Sequence, residues 1–133
     1  MICFVDTSAL LAVLDADDQN HPKAKKHWET LIYGDDSLVS TNYVLVETFA
    51  LVQHRLGIKA VSTLQEDVVP LLTIEWVNQS IHQEGLMAAI TTGRRKLSLV
   101  DCVSFAVMRR MGIKTVFAFD KHFNQQGFRL LPS

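Results

Sequence analysis

Glu47 stands inside VLVETFALV (residues 44–52), a run otherwise apolar or weakly polar. A carboxylate buried there without a partner carries a desolvation cost of about several kcal/mol and tends to be protonated instead. Three further acids stand in similarly apolar company. Asp6 follows ICFV, Asp120 follows TVFAF, and Asp101 interrupts LSLVDCVSFAVM. Each has an ordinary explanation. Asp6 and Asp120 suit helix N-caps, Asp101 stands at a capping-box spacing from Ser98, and Glu47 suits one half of a buried ion pair. Capping leaves Glu47 unexplained, and several acids brought together repel one another. A hard divalent cation answers both difficulties, because it neutralises the charges and takes oxygen ligands. A set with no His or Cys ligand favours Mg²⁺ or Mn²⁺ over Zn²⁺. Such a centre suits phosphodiester hydrolysis by an activated water, with no covalent enzyme intermediate. Consistent with that route, no GxSxG elbow, Walker loop or GxGxxG is present.

The elements that must position these acids alternate between strand and helix. Residues 2–5, 37–41, 71–77, 115–119 and 128–131 read as short apolar strands. Helices are predicted from Asp6-Thr7-Ser8 into ALLAVLDA, over 20–33 with Pro22 in its first turn, from Asn42 to Gly57, over 58–68 with Pro70 as the stop, over 79–92, and from Ser98 to Met111. Strands buried on both faces predict a three-layer α/β/α domain around a parallel sheet of about five strands. Ligands of such sheets sit beyond the carboxyl ends of the strands, at the edge where Asp6 and Asp120 fall. Glu47 joins them because its helix starts at that edge. The helix of Asp101 follows another helix, so pattern alone places it less firmly.

Composition narrows the class. The chain has 133 residues, 48% of them hydrophobic, with no linker-like or low-complexity stretch, which predicts one domain over 1–133. Thirteen basic against 14 acidic residues exclude a globally basic nucleic-acid binder, so any basic surface is local. Cys3 and Cys102 lie in apolar runs and read as reduced, buried thiols. No apolar stretch reaches the roughly 18 residues of a membrane span, and Asp6 interrupts the only apolar start. A cytoplasmic protein is expected.

Taken together, FVDTSALLAVL, TNYVLVETFALV, LSLVDCVSFAVMRRMGI and FAFDKHF, in this order and over nearly the whole chain, resemble the PIN-domain family, particularly its VapC-like toxin ribonucleases. The resemblance implies a Mg²⁺- or Mn²⁺-dependent endoribonuclease whose acidic quartet maps onto Asp6, Glu47, Asp101 and Asp120. It implies a supporting or water-positioning hydroxyl at Ser8. Ser104, one turn from Asp101, is a second candidate, against the plainer role of bonding back to helix carbonyls. The family also implies an RNA substrate, a small antitoxin and a homodimer or larger assembly, for which the apolar helices at 43–56 and 58–68 offer faces. One departure stands out: many relatives carry Thr or Ser two residues before the last acid, where this chain has Ala118.

RNA phosphates call for cations. Arg94, Arg95 and Lys96, just before the Asp101 helix, are the candidate substrate-binding residues. Arg109 and Arg110 fit a helix C-terminus, and Lys23, Lys25 and Lys26 a solvated helix face. His54 and His122 are at most polar neighbours of the acids, and Trp28, Trp76 and the phenylalanines read mostly as core. Two rival readings carry less. A Mg²⁺-dependent phosphotransfer or receiver-type domain needs an acidic pair or a DxDx[TV] motif after the first strand, where this chain has only DTS. A non-catalytic PIN-like binding module fits poorly with four intact acids.

Overall fold

A computed structural model describes residues 1–133. Five strands form one parallel sheet: β1 (Ile2–Val5), β2 (Ser37–Thr41), β3 (Thr73–Glu75), β4 (Thr115–Phe117) and β5 (Arg129–Leu131). Their order is β3-β2-β1-β4-β5, so the first strand is central and the order reverses between β1 and β4. The helices are α1 (Thr7–Leu14), α2 (His21–Ile32), α3 (Asn42–Leu56), α4 (Ile58–Thr63), α5 (Gln79–Thr92), α6 (Leu99–Met111) and α7 (His122–Gln125). The predicted α/β class and the five-stranded parallel sheet are both present.

The sheet is covered on both faces because its strands carry large side chains in both directions. Phe4 of β1 lies 6.5 Å from the ring of Phe123 in α7, while Phe117 of the neighbouring β4 stacks 6.4 Å from Trp28 in α2. Phe4 pairs in register with Val116, so Phe4 and Phe117 occupy opposite faces of the pleat. Phe4, Phe117 and Phe123 are all wholly buried. The chain winds first toward β3 and then back toward β5, with α2 and α7 on opposite faces of the sheet.

Helix boundaries follow local chemistry. Asp6, Thr41, Asn78 and Ser98 cap α1, α3, α5 and α6 by accepting from backbone N–H groups in the first turn. The predicted helix over 58–68 is α4, a π-helical turn at Leu64–Val68 and then a 3-10 turn at Val69–Leu71, where Pro70 ends the run. Close packing of α5 on α6 rests on Gly85. A Cβ there would stand 2.5 Å from Val103 Cγ2 and 3.1 Å from its backbone nitrogen.

Three expectations need correction. The strand expected over 71–77 is only Thr73–Glu75, because Leu71 belongs to the 3-10 turn. Trp76 therefore lies past the strand, in the loop to α5, and is 70% exposed rather than core. The strand expected over 115–119 stops at Phe117, where Phe119 N turns away to donate to Ser8 Oγ. No helix is long and apolar enough to cross a membrane.

Candidate active site

The site grows from the carboxyl edge of β1. Asp6 is the first residue past the strand, and its own N–H donates to Phe117 O of β4 at 3.1 Å. Its side chain turns back as the cap of α1, accepting from Ser8 N at 3.1 Å and from Ser8 Oγ at 2.7 Å. Ser8 Oγ in turn accepts from Phe119 N at 3.0 Å. One hydroxyl thus fastens Asp6 to the loop that carries Asp120. Asp6 is almost fully buried. Burial pushes its carboxyl up to about 7 against the pull of the Ser8 bonds, and the charges of Asp101 and Asp120 add to the rise.

Asp101 enters from α6. It forms the reciprocal capping box with Ser98: Asp101 N donates to Ser98 Oγ and Ser98 N donates to Asp101 Oδ2, both at 3.1 Å. The ordinary role foreseen for it is therefore real, yet Asp101 Oδ2 also lies 3.8 Å from His122 Nδ1. Burial raises the Asp101 carboxyl first; Ser98 opposes that, Asp120 adds to it, and His122 opposes it. Asp120 follows β4 and accepts from His122 N at 2.9 Å, the Asx-type turn that starts α7.

Glu47 projects from the second turn of α3, between Val46 and Thr48. Its carboxyl is raised by burial, lowered by the Thr7 hydroxyl, and raised again by Asp101 and Asp120. Thr7 and Thr48 brace this corner. Thr48 Oγ1 lies 3.1 Å from Thr7 Oγ1 and donates to Val44 O at 2.7 Å, while Thr7 Oγ1 reaches Val44 O at 3.4 Å. The four acids thus come from four separate stretches of chain into one electrostatic neighbourhood. None of them pairs with a lysine or arginine.

His122 belongs closer to this cluster than its sequence context suggested. One ligand atom each from Asp101, Asp120 and His122 lie within 4.8 Å of one another. His122 Nδ1 is 3.1 Å from Asp120 Oδ1, yet buried and without a hydrogen-bond partner. Ser104 Oγ is buried and equally unpartnered, so the expected bond back to a helix carbonyl is absent. Crowded acids with no lysine or arginine partner, beside the unpartnered Ser104 hydroxyl, suit a hard divalent cation held mainly by oxygens. The sequence offered a signal for His122 in DKH: the residue two after a turn-forming Asp is folded back toward it. Thr7 and Thr48 were missed because hydroxyls in apolar helices look like filler. His54 sits exposed in the last turn of α3, and Arg94, Arg95 and Lys96 are exposed in the turn between α5 and α6. The three cations of that turn make no ion pair to the acids. Arg110 is bound to Glu84 at 3.0 Å, and Arg109 to Gln126 at 2.9 Å.

A covered parallel sheet that gathers acids at its carboxyl edge, beside the reversal of strand order, defines a recognisable class of α/β protein. The PIN domain family model matches residues 3–129, and the chain belongs to the PIN-domain family. It is 33% identical over 126 residues to the 23S rRNA-specific endonuclease VapC20 of Mycobacterium tuberculosis, covering 94% of each chain. A VapC ribonuclease of Aquifex aeolicus is 25% identical over 126 residues, covering 94% of this chain and 92% of that one. The crystal structure of VapC20, described as a toxin that cleaves the sarcin-ricin loop, superposes with a TM-score of 0.85 over 96% of both chains at 32% identity. FitAcB from Neisseria gonorrhoeae shares the fold, with a TM-score of 0.68 and 19% identity over 98% of this chain and 96% of that one.

Proposed function

We propose that this protein is a divalent-metal-dependent endoribonuclease of the toxin type, with Asp6, Glu47, Asp101 and Asp120 as its acidic site. The observation that carries the reading is the grouping of Asp101, Asp120 and His122 within 4.8 Å, beside Asp6 and Glu47, whose carboxyls feel the charges of Asp101 and Asp120. Mg²⁺ or Mn²⁺ bound there supplies an acidified water and neutralises charge on the phosphoryl oxygens. Asp101 and Asp120 offer the open oxygens, with His122 Nδ1 beside them. Asp6 is held in one rotamer by Ser8, which keeps its second oxygen free for the site. Glu47, braced through Thr7 and Thr48, closes the side facing α3. Ser104 lies one turn beneath Asp101 with a hydroxyl free to support it. Arg94, Arg95 and Lys96 hold the flanking phosphates. Asp120 approaches with the most solvent access of the acids around His122, which suits binding through water as well as direct ligation.

The 23S rRNA specificity of a relative 33% identical makes large ribosomal RNA the first substrate to test. A small antitoxin, a homodimer, a cytoplasmic location and a single nuclease domain over 1–133 complete the proposal. Exposed Met87 and Ile90, one turn apart on α5, support a surface that pairs with protein. The deciding experiment incubates wild type and Asp101→Asn with ribosomal RNA in Mn²⁺, Mg²⁺ or EDTA and maps the new 5′ ends. Discrete cleavage is expected from wild type with metal only. Cleavage that survives EDTA, or that Asp101→Asn retains in full, overturns the reading.

A further inference from the structure

The lysines of α2 do more than solvate a helix. Lys23, Lys26, His27 and Thr30 stand at i, i+3, i+4 and i+7, on one face of α2, with Ala24, Trp28 and Leu31 buried on the other. Together with Pro132 they line an open cleft of about 300 Å³. Neither lysine forms an ion pair, so both charges are free. His27 contributes an Nε2 that is buried and has no hydrogen-bond partner. Two uncommitted ammonium groups one turn apart at the mouth of this cleft are complementary to an oxyanion.

Its place in the fold says which oxyanion. Pro132 is the first residue past β5, whose Leu131 pairs with Phe117 of β4. The His27 ring lies 5.1 Å from that of Phe117, three residues before Asp120. One strand spacing and three residues of chain separate the cavity wall from Asp120, on the order of 10 Å. The cavity therefore opens at the same edge of the sheet as the acids. Arg94, Arg95 and Lys96 precede α6, which carries Asp101. A polyanion lying across the acids thus has a second set of cations to reach.

We infer that the Lys23–Lys26–His27–Thr30 cavity is a subsite for a backbone phosphate of the RNA, next to the bond being cut. This rests on the ribonuclease reading above. The lysines neutralise that phosphate, which the acidic cluster alone would repel. Because the phosphate is bound equally before and during cleavage, removing its subsite raises KM and leaves kcat in place.

The test is steady-state cleavage of an RNA that wild type cuts, in Mn²⁺, across a salt series. Lys23→Ala/Lys26→Ala is expected to raise KM about tenfold with kcat retained, and to flatten the salt dependence of log KM by about 0.7 for each phosphate no longer neutralised. Lys23→Arg/Lys26→Arg is expected to restore most of the affinity. Lys25→Ala, on the same helix and outside the cavity, is expected to change neither parameter. A double alanine variant that matches wild type overturns the subsite while the nuclease assignment stands. So does Lys25→Ala with an equal loss, which marks general surface charge, or a fall confined to kcat. Wild type that cuts no RNA removes the ribonuclease reading and the subsite with it.

Discussion

Asp6 concentrates the tension of this site in one side chain. It is buried, hydrogen-bonded and close to two other acids, and its carboxyl titrates near 7, at about 7 instead of in the usual carboxylate range. Its folded pKa is raised, so the folded metal-free protein holds a proton that the unfolded chain gives up above about pH 4. Stability is then greatest below the unfolded value and is lost as pH rises toward 7. Metal-free protein is expected to melt at a higher temperature at pH 5 than at pH 7.5, a stability difference on the order of a few kcal/mol. Asp6→Asn keeps the capping oxygen and removes the titration. Its melting temperature, read by circular dichroism in EDTA, is expected to vary much less over that range. An unchanged slope sinks the assignment of the proton to Asp6. The Glu47 carboxyl is raised in the same direction by burial. Glu47→Gln is expected to raise the metal-free melting temperature at neutral pH while abolishing cleavage. A large loss of stability would instead identify a structural ion pair that no basic residue here provides.

At the level of elements, the interface between α5 and α6 carries a sharp prediction. Gly85→Ala places a methyl group 2.5 Å from Val103 Cγ2 and close to the Val103 backbone. Relief requires the helices to separate, so a destabilisation of about 1–3 kcal/mol is expected by denaturant titration. Because α6 carries Asp101, cleavage is expected to fall as well, and the truncation Val103→Ala in the same chain should recover part of both. Most elements were legible because their signals are local. Asp6, Ser98 and Asn78 announce helix starts by their caps, Gly93 and Gly112 mark helix ends, and ICFV and SLVST are apolar runs of strand length. What stayed hidden depends on where the chain leaves the sheet. Trp76 reads as core if the third strand extends to it, and is solvent-facing because β3 ends at Glu75. His122 reads as a bystander until the four-residue α7, too short to leave a periodic pattern, folds it onto Asp101 and Asp120. Glu47 was legible for the opposite reason, as a charge that an apolar helix had no cause to contain.

For the molecule as a whole, acids crowded without a lysine or arginine partner are an electrostatic defect that a bound divalent cation would relieve. A ligand that binds only the folded state at a hundredfold excess over Kd adds about 2.7 kcal/mol, or roughly 10 °C for a protein this size. Mn²⁺ is therefore expected to raise the melting temperature of wild type and to remove most of its dependence on pH. Asp101→Asn should respond far less, and a shift of equal size in that variant would place the ion elsewhere. Such a measurement is independent of any RNA. The sheet order adds a constraint on assembly. β1 is central and is flanked by β4, which is made much later in the chain, and Ser8 reaches Phe119 across 111 residues. A nascent polypeptide that has just exposed its first acid holds neither the strand that shelters it nor the loop that orients it. The acidic centre is thus incomplete until the segment that carries Asp120, nearly the last to be made, has joined the first strand.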